Sequence, residues 1–184
     1  MSVMVAEKRL LRVDDLDGSE IPEKFAEIIE GELIQTAPPG RYHNRIASRF
    51  TFLFSDFCDG RSDLDFGTDN EGFLIGRDPD SLLSPDGCLF RRRPEPDGAW
   101  MEFAPEVVVE VLSPSNSPVE MAFKRRKYFA AGTEQFWIAD PESKTLEIHF
   151  KDGRLLKAQE PDIVQGEGIA LGMEIRLEEI FRKP

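Results

Sequence analysis

The chain has 184 residues, 40% of them hydrophobic and 32% charged, and a formal net charge of −12. That length is one domain's worth, and 14 Phe among several apolar runs supply enough burial to exclude a wholly disordered polyelectrolyte. Two cysteines, Cys58 and Cys88, are too few for a disulfide scaffold or a thiolate zinc site, which points to a reducing compartment. No apolar run approaches membrane-spanning length. The first twenty residues lack the basic-then-apolar order of a signal peptide. A cytoplasmic protein without membrane contact is expected, built as a single domain over 1–184 with residues 1–20 as an N-terminal extension.

The acidic balance argues against gripping nucleic acid by bulk charge, because phosphate affinity comes from Lys and Arg displacing counterions. The charge is uneven, however. Residues 51–80 hold eight acids against two bases, whereas residues 86–128 hold seven of each, so contact with an anion is expected in the second stretch. Within it, Arg91-Arg92-Arg93 is either a phosphate contact or a solvated loop.

In chain order, residues 25–36 (FAEIIEGELIQT) read as a hairpin about Glu30-Gly31. After Pro38-Pro39-Gly40, the apolar positions Ile46, Phe50, Leu53, Phe54 and Phe57 recur at three and four residues, which predicts an amphipathic helix over about 42–58 packed on a sheet. Residues 106–112 (EVVVEVL) form a nearly continuous β-branched run, predicted as a strand buried on both faces. Ser117-Pro118-Val119-Glu120 then combines a capping serine, proline at the first helical position and glutamate three residues on, opening a helix that Gly132 stops. A buried strand over 135–140 and a hairpin of 145–150 with 154–158 follow. The order strand, helix, strand implies an α/β fold, with a right-handed crossover and edge hairpins. The tail, IALGMEIRLEEIF, is expected to add one edge strand and a final turn.

Two carboxylates stand out. Asp86, after Pro85, opens the short apolar stretch Gly87 to Phe90, and Glu110 lies inside the apolar strand, so the two are expected to meet on adjacent strands. An acid within such a strand carries a large desolvation cost unless it is paired, ligated to a cation or at an exposed end. Glu110 therefore serves either a structural pair with a Lys or Arg or a metal site, and Asp86 either a turn cap or the same site. Lys124, on the following helix, shares a face with Lys127 and Tyr128, while Arg125 and Arg126 turn away by roughly 100° and 200°. It either belongs to a solvated basic face or approaches the acids.

Together, ELIQTAPPGRYH, Pro85-Asp86, VVVEVLSPS, Lys124 with Tyr128, and AGTEQFWIADP resemble the bacterial "putative restriction endonuclease" family, abundant in cyanobacteria, of the PD-(D/E)XK nuclease superfamily. The resemblance covers about residues 20–182. It implies a restriction-endonuclease-like core, a mixed central sheet flanked by helices. It also places Asp86 and Glu110 where the superfamily has its two acids, with the Val111 carbonyl as a further oxygen donor to Mg²⁺ or Mn²⁺. The superfamily's usual lysine position, two residues after the second acid, is Leu112, and Lys124 falls where this family carries its lysine instead. His43 matches a histidine near the start of the family's first long helix and is a candidate catalytic residue or a helix-start cap. The family's common Glu-Tyr-Trp is here Gln135-Phe136-Trp137, and Glu120 stands where an Asp is usual.

The implied function is a Mg²⁺-dependent endonuclease acting on DNA, expected as a homodimer because duplex cleavage needs two sites. The rival is a non-catalytic binding or regulatory module that retains the fold, which the net charge of −12 favours. A glycosidase is disfavoured, since its acids need an open sugar cleft.

Overall fold

A computed structural model describes residues 10–16, 26–35, 38–68, 71–94 and 98–183. The first hairpin joins β1 (Ala26–Ile29) to β2 (Glu32–Gln35). Its two-residue turn has φ of 51° at Glu30 and 76° at Gly31, the doubly positive pattern that matches strand twist. Gly31 is required twice over, because a Cβ there would lie 2.7 Å from the Leu10 Cβ. Helix α1 runs from Arg41 to Cys58, one residue longer at its start than its periodicity predicts.

The chain continues through β3 (Leu64–Thr68), β4 (Phe73–Gly76), β5 (Ser81–Leu83), β6 (Gly87–Arg91) and β7 (Val107–Val111), then α2 (Pro118–Ala131). Next come β8 (Gln135–Asp140), β9 (Thr145–Phe150), β10 (Leu155–Gln159), β11 (Ile163–Gln165), β12 (Glu174–Arg176) and α3 (Leu177–Phe181). Among the described residues the main sheet has six strands in the order β10-β9-β8-β7-β6-β3, of which only the neighbours β7 and β8 run parallel. A smaller sheet, β2-β1-β5-β4, carries the first hairpin.

Helix α2 forms as its sequence predicts. The Ser117 hydroxyl accepts from the Glu120 N–H, the Glu120 carboxylate accepts from the Ser117 N–H, and Gly132 takes a φ of 125° at the C-terminal end.

The alternation of β7 decides which face each side chain reaches. Val107, Val109 and Val111 join Ile46, Phe50, Phe54 and Trp137 in the core beneath α1. Val108 joins Tyr128 and Phe136 on the side covered by α2. Glu110, two residues from Val108, faces α2 as well. The Phe50, Phe54 and Trp137 rings lie 5.8–6.3 Å apart at tilted or edge-on angles, and each buried ring contributes roughly 2–3 kcal/mol of transfer free energy.

Three features depart from expectation. The acidic stretch 51–80 supplies two short strands, β3 and β4, with β5 directly after it, which its composition hides. The tail strand β12 does not extend the main sheet but pairs with β11 in a separate ribbon. The ribbon forms because Val164 and Ile175, paired in register, both drop into the core under α1, where α3 adds Leu177, Ile180 and Phe181. Finally, part of the supposed N-terminal extension packs: Val13 is buried against Ile28, Leu74 and Leu82, and its N–H donates to Asp80 Oδ2 at 2.9 Å. Residues 1–9 and 17–20 of that segment lie outside the described residues.

Candidate nuclease site

The site lies where β7 outruns β6 while still paired with β8. β6 pairs with β7 only from Gly87–Val109 to Leu89–Val107, so the backbone of Val111 is free of the β6 ladder. Asp86, one residue before β6, fills the gap: its Oδ2 accepts the Val111 N–H at 2.7 Å. The same oxygen lies 3.3 Å from His43 Nε2, delivered by the first turn of α1. His43 Nδ1 is 3.4 Å from Asn44 Oδ1, and the Val111 carbonyl also accepts from the ring. Burial disfavours the imidazolium, yet Asp86 and these acceptors outweigh it and raise the His43 pKa.

On the α2 side, Glu110 is 6% and Lys124 5% exposed. The Lys124 Nζ donates to both Glu110 oxygens at 3.3 Å. A third carboxylate, Glu27 of β1, reaches the same ammonium, with Oε1 at 3.1 Å and Oε2 at 2.8 Å. Although Oε2 is the nearer atom, only Oε1 has hydrogen-bond geometry, and Oε2 is left with electrostatic contact alone. One buried cation thus faces two buried carboxylates. Burial, then the charges of Glu27 and Asp86, push the Glu110 pKa up to about 8 against the pull of Lys124. Lys124 stays charged: burial opposes its proton, but Glu110 and Glu27 outweigh burial and raise its pKa. The two shifts pull against each other, because a protonated Glu110 would not hold Lys124 so strongly. Burial is the larger cause of the raised Glu110 pKa, and the excess of carboxylate over cation adds to it. Burial and the charges of Glu110 and Glu27 likewise raise the pKa of Tyr128, one turn after Lys124, whose hydroxyl has no hydrogen-bond partner among the described residues.

The sequence-derived residues, together with Glu27, therefore form two adjoining groups, His43–Asp86–Val111 and Glu27–Glu110–Lys124, joined through the 110–111 backbone. The other cations of α2 go elsewhere: Arg125 to His149 at 2.8 Å, Arg126 over the Phe123 ring, and Lys127 to Glu30. Glu27 escaped the sequence reading, although the signal that exposed Glu110 applied to it too, an acid inside an apolar strand, here AEII. Arg91, Arg92 and Arg93, the sequence's candidates for phosphate contact, are paired within the fold. Arg91 binds Glu106 and Glu134 at 3.1 Å, Arg92 lies 3.5 Å from Asp65, and Arg93 lies 2.8 Å from Glu106.

Over residues 12–178 the sequence matches the family described as "Uma2: Putative restriction endonuclease". The chain belongs to the Uma2 family. A solved structure described as a putative nuclease belonging to DUF820, from Anabaena variabilis ATCC 29413, superposes with a TM-score of 0.79 at 21% identity, covering 91% of this chain and 96% of that one. The likeness establishes that this Uma2 chain has the same fold, a restriction-endonuclease-like mixed sheet with few helices. No functionally curated protein matches.

Restriction-endonuclease-like proteins generally use divalent metals. Among the described residues of this Uma2 protein, no group of three or more His, Cys, Asp or Glu forms a protein-only cage. The donor chemistry nevertheless suits a hard cation that keeps several waters and needs only one or two carboxylates. Asp86 and Glu110 are acidic oxygen donors at the ends of neighbouring strands, and the burial and neighbouring carboxylates that raise the Glu110 pKa are what a cation would offset.

Proposed function

We propose that this protein is a divalent-metal-dependent DNA endonuclease with Asp86, Glu110 and Lys124 at its centre, Mg²⁺ as its ordinary metal and Mn²⁺ as a substitute. The observation that carries the reading is the Lys124 ammonium, buried on a helix and directed onto Glu110 beside the strand end that holds Asp86. Asp86, Glu110 and the Val111 carbonyl would hold the metal. When bound, it would lower the pKa of a coordinated water and offset charge on the scissile phosphate.

The chain's own residues do the rest. Lys124 holds Glu110 in place and presents positive charge where negative charge develops on the phosphate. Glu27 fixes the ammonium from the opposite side, which limits the rotamers open to a long flexible chain. His43 and the Val111 N–H clamp one Asp86 oxygen and leave the other for binding. The burial of Glu110 and Lys124 strengthens each of these interactions relative to water.

We propose further that the chain acts as one domain and as a two-fold dimer in the cytoplasm. Two free buried cysteines and the absence, among the described residues, of a helix long and apolar enough to cross a membrane agree with that setting. Incubation of plasmid, linear duplex and single-stranded DNA with the protein and Mg²⁺ or Mn²⁺ tests the reading. Cleavage that Lys124→Ala abolishes supports it, and intact DNA throughout refutes it.

A specific observation favours one rival: both Glu110 oxygens are already engaged by Lys124, as in a structural ion pair. A binding module that retains the fold would show no melting shift with Mg²⁺ or Mn²⁺.

A further inference from the structure

Helix α1 has two dissimilar faces. Ile46, Phe50 and Phe54 turn into the core, and His43 lies on the same side by helical spacing. On the opposite side Arg41, Asn44, Arg45, Ser48, Arg49 and Phe52 line one open groove, spread over roughly 140° of the helix. Three arginines four residues apart thus form a row about 12 Å long at 1.5 Å per residue. Phe52, 73% exposed, closes it. The single acid of α1, Asp56, lies almost two turns past Arg49.

The protein has 35 acids for 23 Lys and Arg, and many of its cations find a carboxylate. Arg77, Arg91, Arg92, Arg93, Arg154 and Arg176 all do. Others among the described residues do not, with Arg61 and Arg126 resting on aromatic rings and Arg125 on His149, so the row is distinguished by the alignment of three arginines on one helix face. Arg41 and Arg45 have no carboxylate partner among the described residues. Arg49 donates to the Ile180 and Arg182 carbonyls at 2.7 and 2.6 Å, contacts that anchor α3 without neutralising its charge. Arg182 is close enough to Arg49 to crowd it with like charge, together with Arg45. In so acidic a molecule, an unneutralised cationic row calls for a polyanion. Its length suits a short run of phosphates on one DNA strand. It begins in the same first helical turn as His43, which points to the other side of α1.

We infer that the Arg41–Arg45–Arg49 row is the surface on which the phosphate backbone of a DNA duplex docks, in place of the Arg91–Arg93 segment. The identity of the polyanion rests on the nuclease reading.

The test is the salt dependence of duplex binding by the full chain, measured by fluorescence anisotropy in EDTA between 50 and 200 mM salt. R41Q/R45Q should lower the slope of log affinity against log salt by about two, with the melting temperature unchanged, because each phosphate contact contributes about 0.9. R126Q, which removes an exposed arginine from α2, should leave the slope at the parental value. A parental slope in R41Q/R45Q overturns the inference, as does a parent protein that binds no duplex. Row-dependent binding to phosphatidylserine vesicles without binding to duplex also overturns it, in favour of a lipid surface. If the row-dependent slope appears but no divalent metal supports cleavage, the docking surface stands and the nuclease reading falls. Cleavage by the parent together with an unchanged slope in R41Q/R45Q does the reverse.

Discussion

Lys124 and Glu27 stand 97 positions apart in the chain and 2.8 Å apart in space. This contact ties α2 of the crossover to β1 of the small sheet, and it makes Glu110 one of two carboxylates competing for a single buried cation. The consequences can be separated by substitution.

Lys124→Ala strands two carboxylates in a buried site. Loss of one partner from a buried ion pair costs about 3–5 kcal/mol. That range is expected for Lys124→Ala at pH 7 by urea denaturation, with partial recovery at lower pH as the carboxylates protonate. Glu27→Gln leaves Lys124 with Glu110 alone, which can then ionise as its balanced partner, so the cost should be about 1 kcal/mol or less. Equal losses for the two variants would mean that the three groups are not coupled as described.

Stability should depend on pH in a definite direction. Glu110 titrates at about 8 in the folded protein, above its ordinary value of 4.5. The folded state therefore binds this proton more tightly than the unfolded state does. Its stabilising contribution is complete below 4.5 and is lost as pH rises through about 8. Melting scans across this window should show the decline in the parent protein and a flatter profile in Glu110→Gln.

Binding of a divalent cation at Asp86 and Glu110 should raise the melting temperature by mass action, by about 2.7 kcal/mol of stability at a hundred times Kd. Asp86→Asn and Glu110→Gln should each abolish the shift, whereas R41Q/R45Q should retain it. A shift that survives Asp86→Asn would place the metal elsewhere.

The sequence-readable parts of the structure are those with local causes. The Glu30-Gly31 turn, the three-and-four spacing of α1, and the Ser117/Glu120 capping box each act within a few residues, and each element stands where its pattern predicts. Glu110 was legible as an acid in an apolar strand, and Lys124 as the cation on the face that looks toward it. What could not be read depends on distant partners. The strands β3, β4 and β5 are only three to five residues long and set among acidic loops, and their pairing comes from the sheets they join. The β11–β12 ribbon needs the core that Val164 and Ile175 fill. Arg91–Arg93 looks like a free basic run until Glu106, Glu134 and Asp65 arrive from other segments. The Arg41–Arg45–Arg49 row, broken by intervening residues, gives no run at all and becomes one surface only on a helix.

The most direct test of the central claim is the single-turnover rate of DNA cleavage at saturating protein, with Mg²⁺ or Mn²⁺, for the parent and for Asp86→Asn. Saturation removes differences in docking and isolates the chemical step. Cleavage by the parent is expected, with a rate at least about 100-fold lower in Asp86→Asn at an undiminished melting temperature. Cleavage by Asp86→Asn at the parental rate, or no cleavage by the parent with either metal, would contradict the assignment of Asp86, Glu110 and Lys124 as a phosphodiesterase centre.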